Sequence, residues 1–246
     1  MKELLLREKE TLSAQQECTL FQWLKDRQSG KPLQYIIGVW PFAGHSFMMR
    51  PPVLIPRNDS ESVLQAALDA CASHKGCSQV LDLCCGSGCL GLAFALETGA
   101  HLTAVDITPA ACELTRDNAA ALRVDCEIWQ ADILQAQLWQ TAPWQAHFEH
   151  ILCNPPYIPS KDIASLDITV RGYESLLALD GGEDGLLFYA QLARQARRLL
   201  QAGGVLTLEI GWNQAAAVQE LFLAQGWQLL ALRKDVNGQD RVLQFL

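Results

Sequence analysis

The residues best suited to chemistry in this chain are Asn154-Pro155-Pro156-Tyr157, which follow the apolar run Ile151-Leu152-Cys153. Proline has no backbone N–H and fixes its own φ. The turn after Asn154 is therefore poor in donors and rich in carbonyl acceptors, and the Asn154 side chain adds another acceptor. Such a turn can take both hydrogens of a planar –NH2 group and leave the nitrogen facing one direction. The ring of Tyr157 can lie over that planar group. The chemistry implied is methylation of a nitrogen, with the rest of the chain supplying the methyl donor and the partner surface.

A second set of residues could hold that donor. Val80-Leu81-Asp82-Leu83-Cys84 reads as a strand running into the tight turn Cys85-Gly86-Ser87-Gly88. In an open α/β sheet, ligands bind beyond the carboxyl ends of the strands, and glycines in the first strand–helix turn let a ligand approach the backbone. The turn lacks the P-loop lysine and the full G-x-G-x-x-G, so a nucleoside triphosphate or NAD is a poor match. Asp106 ends the second strand, where a carboxylate can accept from both ribose hydroxyls or cap the helix that Thr108-Pro109 opens. Asp132 follows the third strand and can accept from an adenine amine or close a turn. The three acids Asp82, Asp106 and Asp132 follow successive strands and, with Asn154, form a row at one sheet edge. That row fits S-adenosylmethionine and a planar amine or amide. No Ser-His-Asp set or paired-carboxylate pattern competes, and the five histidines are scattered.

Composition narrows the rest. At 246 residues the chain suits one large domain with a small appendage. Half of it is apolar and its net charge is -8, a poor balance for non-specific nucleic-acid binding. The charged N-terminus is no signal peptide, and no apolar run is long enough to span a bilayer. The nine cysteines are then expected as reduced thiols in a cytoplasmic protein. Cys84, Cys126 and Cys153 fall in apparent strands, where Cys is a small hydrophobe. The group Cys84, Cys85, Cys89 lacks a second pair at zinc spacing, so no metal site is expected.

The elements that would position these groups can be read in order. Residues 13–28 form an amphipathic helix with a Ser13/Gln16 capping box and Ala14, Cys18, Phe21 and Leu24 in period, expected to pack on the rest of the chain. A shorter helix is expected over 2–10. Residues 33–55 read as a β-hairpin, with Tyr35, Ile37 and Val39 alternating before a bend at residues 40–44. Asn58, Asp59 or Ser60 caps a helix to about residue 73, and Arg57 with Glu61 suggests a surface ion pair. From residue 79 strands alternate with helices: strands over 80–84, 102–105, 124–129, 149–153 and 205–210, and helices over 89–96, from Pro109, over 186–200 and over 214–225. Gly203-Gly204 is read as the stop of the 186–200 helix, and Asn237-Gly238 as a closing hairpin turn. The result is an α/β fold with a mostly parallel sheet and an antiparallel strand near the C-terminus. Residues 158–184 are long for a loop, a hint of function, and are expected to close over the substrate.

From about residue 31 onward the chain resembles the bacterial glutamine N5-methyltransferases of peptide release factors, the HemK/PrmC type. The matching stretches include Pro32-Leu33-Gln34-Tyr35, Val53-Leu54-Ile55-Pro56-Arg57, Leu81-Asp82-Leu83 with Gly86-Ser87-Gly88, and Asn154-Pro155-Pro156-Tyr157-Ile158. Others are Leu179-Asp180-Gly181-Gly182-Glu183-Asp184-Gly185, Leu208-Glu209-Ile210-Gly211 and Asp240-Arg241. The resemblance implies a Rossmann-like class I S-adenosylmethionine-dependent methyltransferase fold, divided as a short helical region over 1–30, a hairpin linker over 31–55 and the catalytic domain over 56–246. It implies that Cys84, Cys85, Gly86, Ser87 and Gly88 line the methionine part of the cofactor, that Asp106 holds the ribose, and that Asp132 and Ile133 flank the adenine. Asn154, Pro155, Pro156 and Tyr157 would hold the substrate glutamine. The implied protein is a monomer acting on release factors, without nucleic-acid or membrane partners. The chain departs from the family at Cys84, usually Gly, at Asn58, usually Pro, and in a shorter helical front. Alternatives with the same chemistry are a ribosomal-protein glutamine or an exocyclic amine of a nucleic-acid base. A non-enzymatic ligand-binding module is the third reading, and the intact Asn-Pro-Pro-Tyr argues against it.

Overall fold

The central strands beyond residue 79 are apolar on both faces, so the sheet they make must be covered on both sides. The computed structural model, which describes residues 11–73, 77–136, 138–141 and 148–246, shows that arrangement. A front section carries α1 (Ala14–Gln28), α2 (Leu33–Ile37), β1 (Val39–Phe42) and β2 (His45–Met48). Then come α3 (Ser60–Ser73), β3 (Gln79–Leu83), α4 (Cys89–Thr98), β4 (His101–Asp106), α5 (Pro109–Leu122) and β5 (Cys126–Gln130). After the short α6 (Leu138–Thr141) and β6 (Phe148–Cys153), an irregular segment holds α7 (Ile168–Arg171). The chain closes with α8 (Leu187–Gln195), β7 (Leu200–Glu209), α9 (Ala215–Ala224), β8 (Leu229–Lys234) and β9 (Asp240–Phe245).

The main sheet runs β5-β4-β3-β6-β7-β9-β8. Its pairs are parallel except those of β9, which lies antiparallel between β7 and β8. The chain builds outward from β3 to β5 and returns to β6 on the other side of β3. The carboxyl end of β3 is thus a topological switch point, the place where such sheets bind ligands. Alternation along the strands sorts the core into two layers. Val80, Ala104 and Leu152 face α3 and α4, while Leu81, Leu83, Ile151 and Leu208 face α8 and α9.

Several local expectations change. Residues 33–37 are helical, not extended: Pro32 precedes the turn, Gly38 ends it in the left-handed region, and Tyr35 and Ile36 are both buried. A strand would bury both only if covered on both faces, whereas one helical turn places neighbouring residues on a single buried side; a run this short is ambiguous by periodicity alone. The hairpin itself is present as β1 and β2 around Ala43-Gly44, two residues of positive φ. The helix over 186–200 is shorter, with α8 followed by a 3-10 turn over Ala196–Leu199. Gly203 and Gly204 lie inside β7, where the register against β6 shifts, so they serve a bulge and not a helix stop. Cys84 lies beyond β3 and not within it.

The capping box of α1 forms as expected, with Ser13 N donating to Gln16 Oε1 at 2.9 Å and Gln16 N to Ser13 Oγ at 3.3 Å. None of the residues of α1 is buried, however, so its apolar face does not dock into the described core. The helix expected over 2–10 lies outside the described residues. Arg57 does not pair with Glu61; it meets Glu174, and Glu61 accepts from Ala43 N. Among the described residues no helix is long and apolar enough to cross a membrane.

Candidate active site

A cavity of about 390 Å³ opens at the switch point. Cys84, Gly86, Asp106, Asp132, Ile133, Asn154 and Pro156 line it, and Asp82, Cys85, Ser87, Gly88, Pro155 and Tyr157 do not. Residues the sequence did not assign to the site complete it, notably Val53, Leu177 and Phe188. Nearly all of these are apolar carbon around a few polar groups, as in nucleoside pockets generally.

Its floor is the turn after β3. Cys84 has φ +58°, a left-handed conformation unusual for a residue with a Cβ. The turn is held from two sides. Gly86 N donates to Asp106 Oδ2 at 3.0 Å, and Cys85 N to the Val105 carbonyl at 3.0 Å. From α5, Thr115 Oγ1 donates to the Gly86 carbonyl at 3.1 Å and Asn118 Nδ2 to the Ser87 carbonyl at 2.9 Å. The Cys153 thiol beside it, then burial, push the Cys84 thiol up, so it stays protonated at neutral pH.

Asp106 does two jobs at once. Oδ1 accepts from Thr108 N at 2.9 Å and Thr108 Oγ1 at 3.0 Å, and Oδ2 accepts from Gly86 N. Thr108 in turn caps α5, so the capping role falls to the threonine and the carboxylate orients it. Of roughly four acceptor positions on a carboxylate, three are taken. Asp132 closes a turn through Leu134 N at 2.9 Å while lining the cavity.

Asp82 parts company with the other two acids. It lies inside β3, is almost fully buried, and accepts from Gly91 N of α4 at 2.9 Å. Strand alternation points it to the α4 face, behind the cavity. Burial pushes its carboxyl up to about 7, against the Gly91 hydrogen bond.

Asn154 stands at the end of β6, half-buried, beside buried Pro155 and Pro156. Its Nδ2 donates to Ser60 Oγ at 3.5 Å. Tyr157 OH donates to Glu209 Oε1 at 3.3 Å, and Ser60 Oγ donates to Glu209 Oε2 at 2.5 Å. Burial raises Glu209, with Ser60, Arg241 and Tyr157 pulling it back down. In the sequence Ser60 reads only as a candidate helix cap and Glu209 only as part of the stretch Leu208-Glu209-Ile210-Gly211; a lone acid in an otherwise apolar strand is the signal that could have found it.

Residues 158–184 fold back on this turn. Ile158 N donates to the Leu179 carbonyl at 3.0 Å and Gly181 N to the Ile158 carbonyl at 2.8 Å. Gly181 and Gly185 pass so close to Tyr157 that a Cβ would lie 2.7 Å and 2.4 Å from its backbone atoms. Gln214 Nε2 seals the junction, donating to the carbonyls of Tyr157 and Gly185 at 3.0 and 3.2 Å. Ser175, Leu177, Ala178, Asp180 and Gly182 thereby become part of the cavity wall.

Comparison with known proteins accords with this geometry. The methyltransferase small domain matches residues 60–171, and the PrmC N-terminal domain matches residues 1–38. A methyltransferase from Pyrococcus furiosus superposes with a TM-score of 0.63 at 16% identity, covering 90% of this chain and 98% of that one. Fold and cavity define a class I S-adenosylmethionine-dependent methyltransferase. The release factor glutamine methyltransferase of Geobacter sulfurreducens is 37% identical over 218 residues, 88% of this chain and 74% of that protein. The one from Caulobacter vibrioides is 37% identical over 233 residues, 94% and 79% of the two chains. The chain belongs to the release factor glutamine methyltransferase family.

Proposed function

We propose that this protein methylates the side-chain amide nitrogen of the Gly-Gly-Gln glutamine in peptide chain release factors. The observation that carries the reading is Asn154, held at the rim of the cavity with its Nδ2 turned to Ser60. An amide nitrogen is a weak nucleophile because its lone pair is delocalised into the carbonyl. Asn154 Oδ1 and the Pro155 carbonyl would accept its two hydrogens and aim the nitrogen into the cavity. That is catalysis by orientation and fixed dipoles.

The cavity suits the methyl donor by shape and by its few polar groups. Asp106, with one acceptor position free, would take a ribose hydroxyl, a smaller role than holding both. Asp132 and Ile133 would flank the adenine, and Cys84 and Gly86 would lie along the methionine part. When bound, S-adenosylmethionine supplies an electrophilic methyl on a cationic sulfonium. The amide nitrogen would take that methyl as the methyl–sulfur bond breaks and neutral S-adenosylhomocysteine leaves, with Asn154 Oδ1 and the Pro155 carbonyl accepting hydrogen bonds from the nitrogen until its spare proton passes to water. Tyr157, tied to Glu209, would wall the side of the glutamine. The protein would act as a cytoplasmic monomer, with no nucleic-acid or membrane partner.

The test is mass spectrometry of a purified release factor incubated with this protein and S-adenosylmethionine. One added methyl on the loop glutamine is the expected result. Methylation elsewhere, on a ribosomal protein or a base, would reassign the substrate; no methylation of any would refute the reading.

A further inference from the structure

We infer that Ser60 and Glu209 are positioning residues that set which way the Asn154 amide faces. The inference rests on the proposed role of Asn154 and adds to it the device that makes Asn154 an acceptor.

The two ends of an asparagine amide are alike in shape and opposite in hydrogen bonding. Turned one way, Asn154 offers the target nitrogen an oxygen; turned by 180°, it offers an NH2 group to another NH2 group. Something must choose. Ser60 has one hydroxyl proton, and at 2.5 Å from Glu209 Oε2 that proton is committed to the carboxylate. The Ser60 oxygen is left with lone pairs only on its other side. Asn154 can meet it only with Nδ2, at 3.5 Å, which leaves Oδ1 on the side away from Ser60, where it can accept from a substrate amide.

The relay is built to be rigid. Ser60 is 3% exposed and Glu209 1%, so water does not compete for these bonds. Ser60 opens α3 and Glu209 ends β7, so both sit on fixed elements. The second carboxylate oxygen takes the Tyr157 hydroxyl. One buried acid thus holds both ends of the Asn-Pro-Pro-Tyr turn.

The experiment compares wild-type protein with Ser60→Ala and Glu209→Gln. It reads kcat and KM on a release factor, the dissociation constant of S-adenosylmethionine by calorimetry, and hydrogen exchange of the Asn154 side-chain amide by NMR. Ser60→Ala removes the acceptor. Glu209→Gln keeps the volume but lets an N–H face Ser60, which frees the serine proton toward Asn154. Both variants are expected to lower kcat about 10- to 100-fold, as removal of an orienting partner does, with KM and cofactor affinity unchanged. Amide exchange at Asn154 should quicken about fivefold, matching the loss of one hydrogen bond. Wild-type kcat and exchange in either folded variant would overturn the inference, as would a loss confined to cofactor affinity. If Ser60→Ala fails to fold, Glu209→Gln decides alone. A wild-type protein that leaves the release factor unmethylated refutes the proposed substrate, while amide exchange still reads the orientation.

Discussion

Arg57 Nη2 donates to Glu174 Oε1 at 2.7 Å, joining the stretch just before α3 to the segment that walls the cavity. The two partners are unequal: the Glu174 side chain is 1% exposed and that of Arg57 41%. Burial raises the Glu174 carboxyl, and Arg57 pulls it back toward the charged form.

Removing Arg57 leaves a buried carboxylate without its counter-charge. Arg57→Ala should destabilise the fold by about 3 kcal/mol, read from urea unfolding. Glu174→Gln, which leaves a neutral amide in the same space, should lose much less. Equal, small effects would show that the pair is screened like an ordinary surface bridge.

Asp82 makes stability depend on pH. Its folded value, about 7, lies above that of an unfolded aspartate. Between about pH 4 and that value the folded state holds more protons than the unfolded one, so stability falls as pH rises across the window. Below it the contribution is fully present. Asp82→Asn keeps an acceptor for Gly91 N and should flatten the profile, measured as unfolding midpoints at a series of pH values.

Asn154→Ala removes the acceptor that the proposed mechanism relies on. Turnover should drop about 10³-fold, while S-adenosylmethionine binding by calorimetry stays largely intact because the rest of the cavity is unchanged. Retained turnover would exclude the mechanism.

Cys84 holds a left-handed conformation that disfavours any Cβ. Cys84→Gly should raise stability by about 1 kcal/mol, and Cys84→Val should lower it, since a branched side chain fits this region worst. Thermal unfolding of the two variants gives the order directly.

Much of the architecture was legible in the amino-acid order. The parallel strands announced themselves as short apolar runs ending in Asp106, before Asp132 and before Asn154, and their carboxyl ends do meet at one cavity. Asp82 was misplaced in that row because its position within the strand, not after it, sets its face. Leu33–Ile37 was read as extended because so short an apolar run carries no period of its own. The partners of Arg57 and Asn154 could not be read at all. Glu174 is 117 positions from Arg57, and Ser60 is 94 from Asn154. Such pairings are made by packing, and no local pattern records them.

The return of residues 158–184 onto Tyr157 makes them a ring closed at its base by backbone, since Ile158 bonds both Leu179 and Gly181. A ring closed in this way separates its rim from its base. Residues 161–171 lie beyond the closure, which Ser160 N also joins by donating to the Gly182 carbonyl, so changes in their length or composition are absorbed there. A change within the ring is therefore uncoupled from the turn at Asn154 by the backbone bonds at its base.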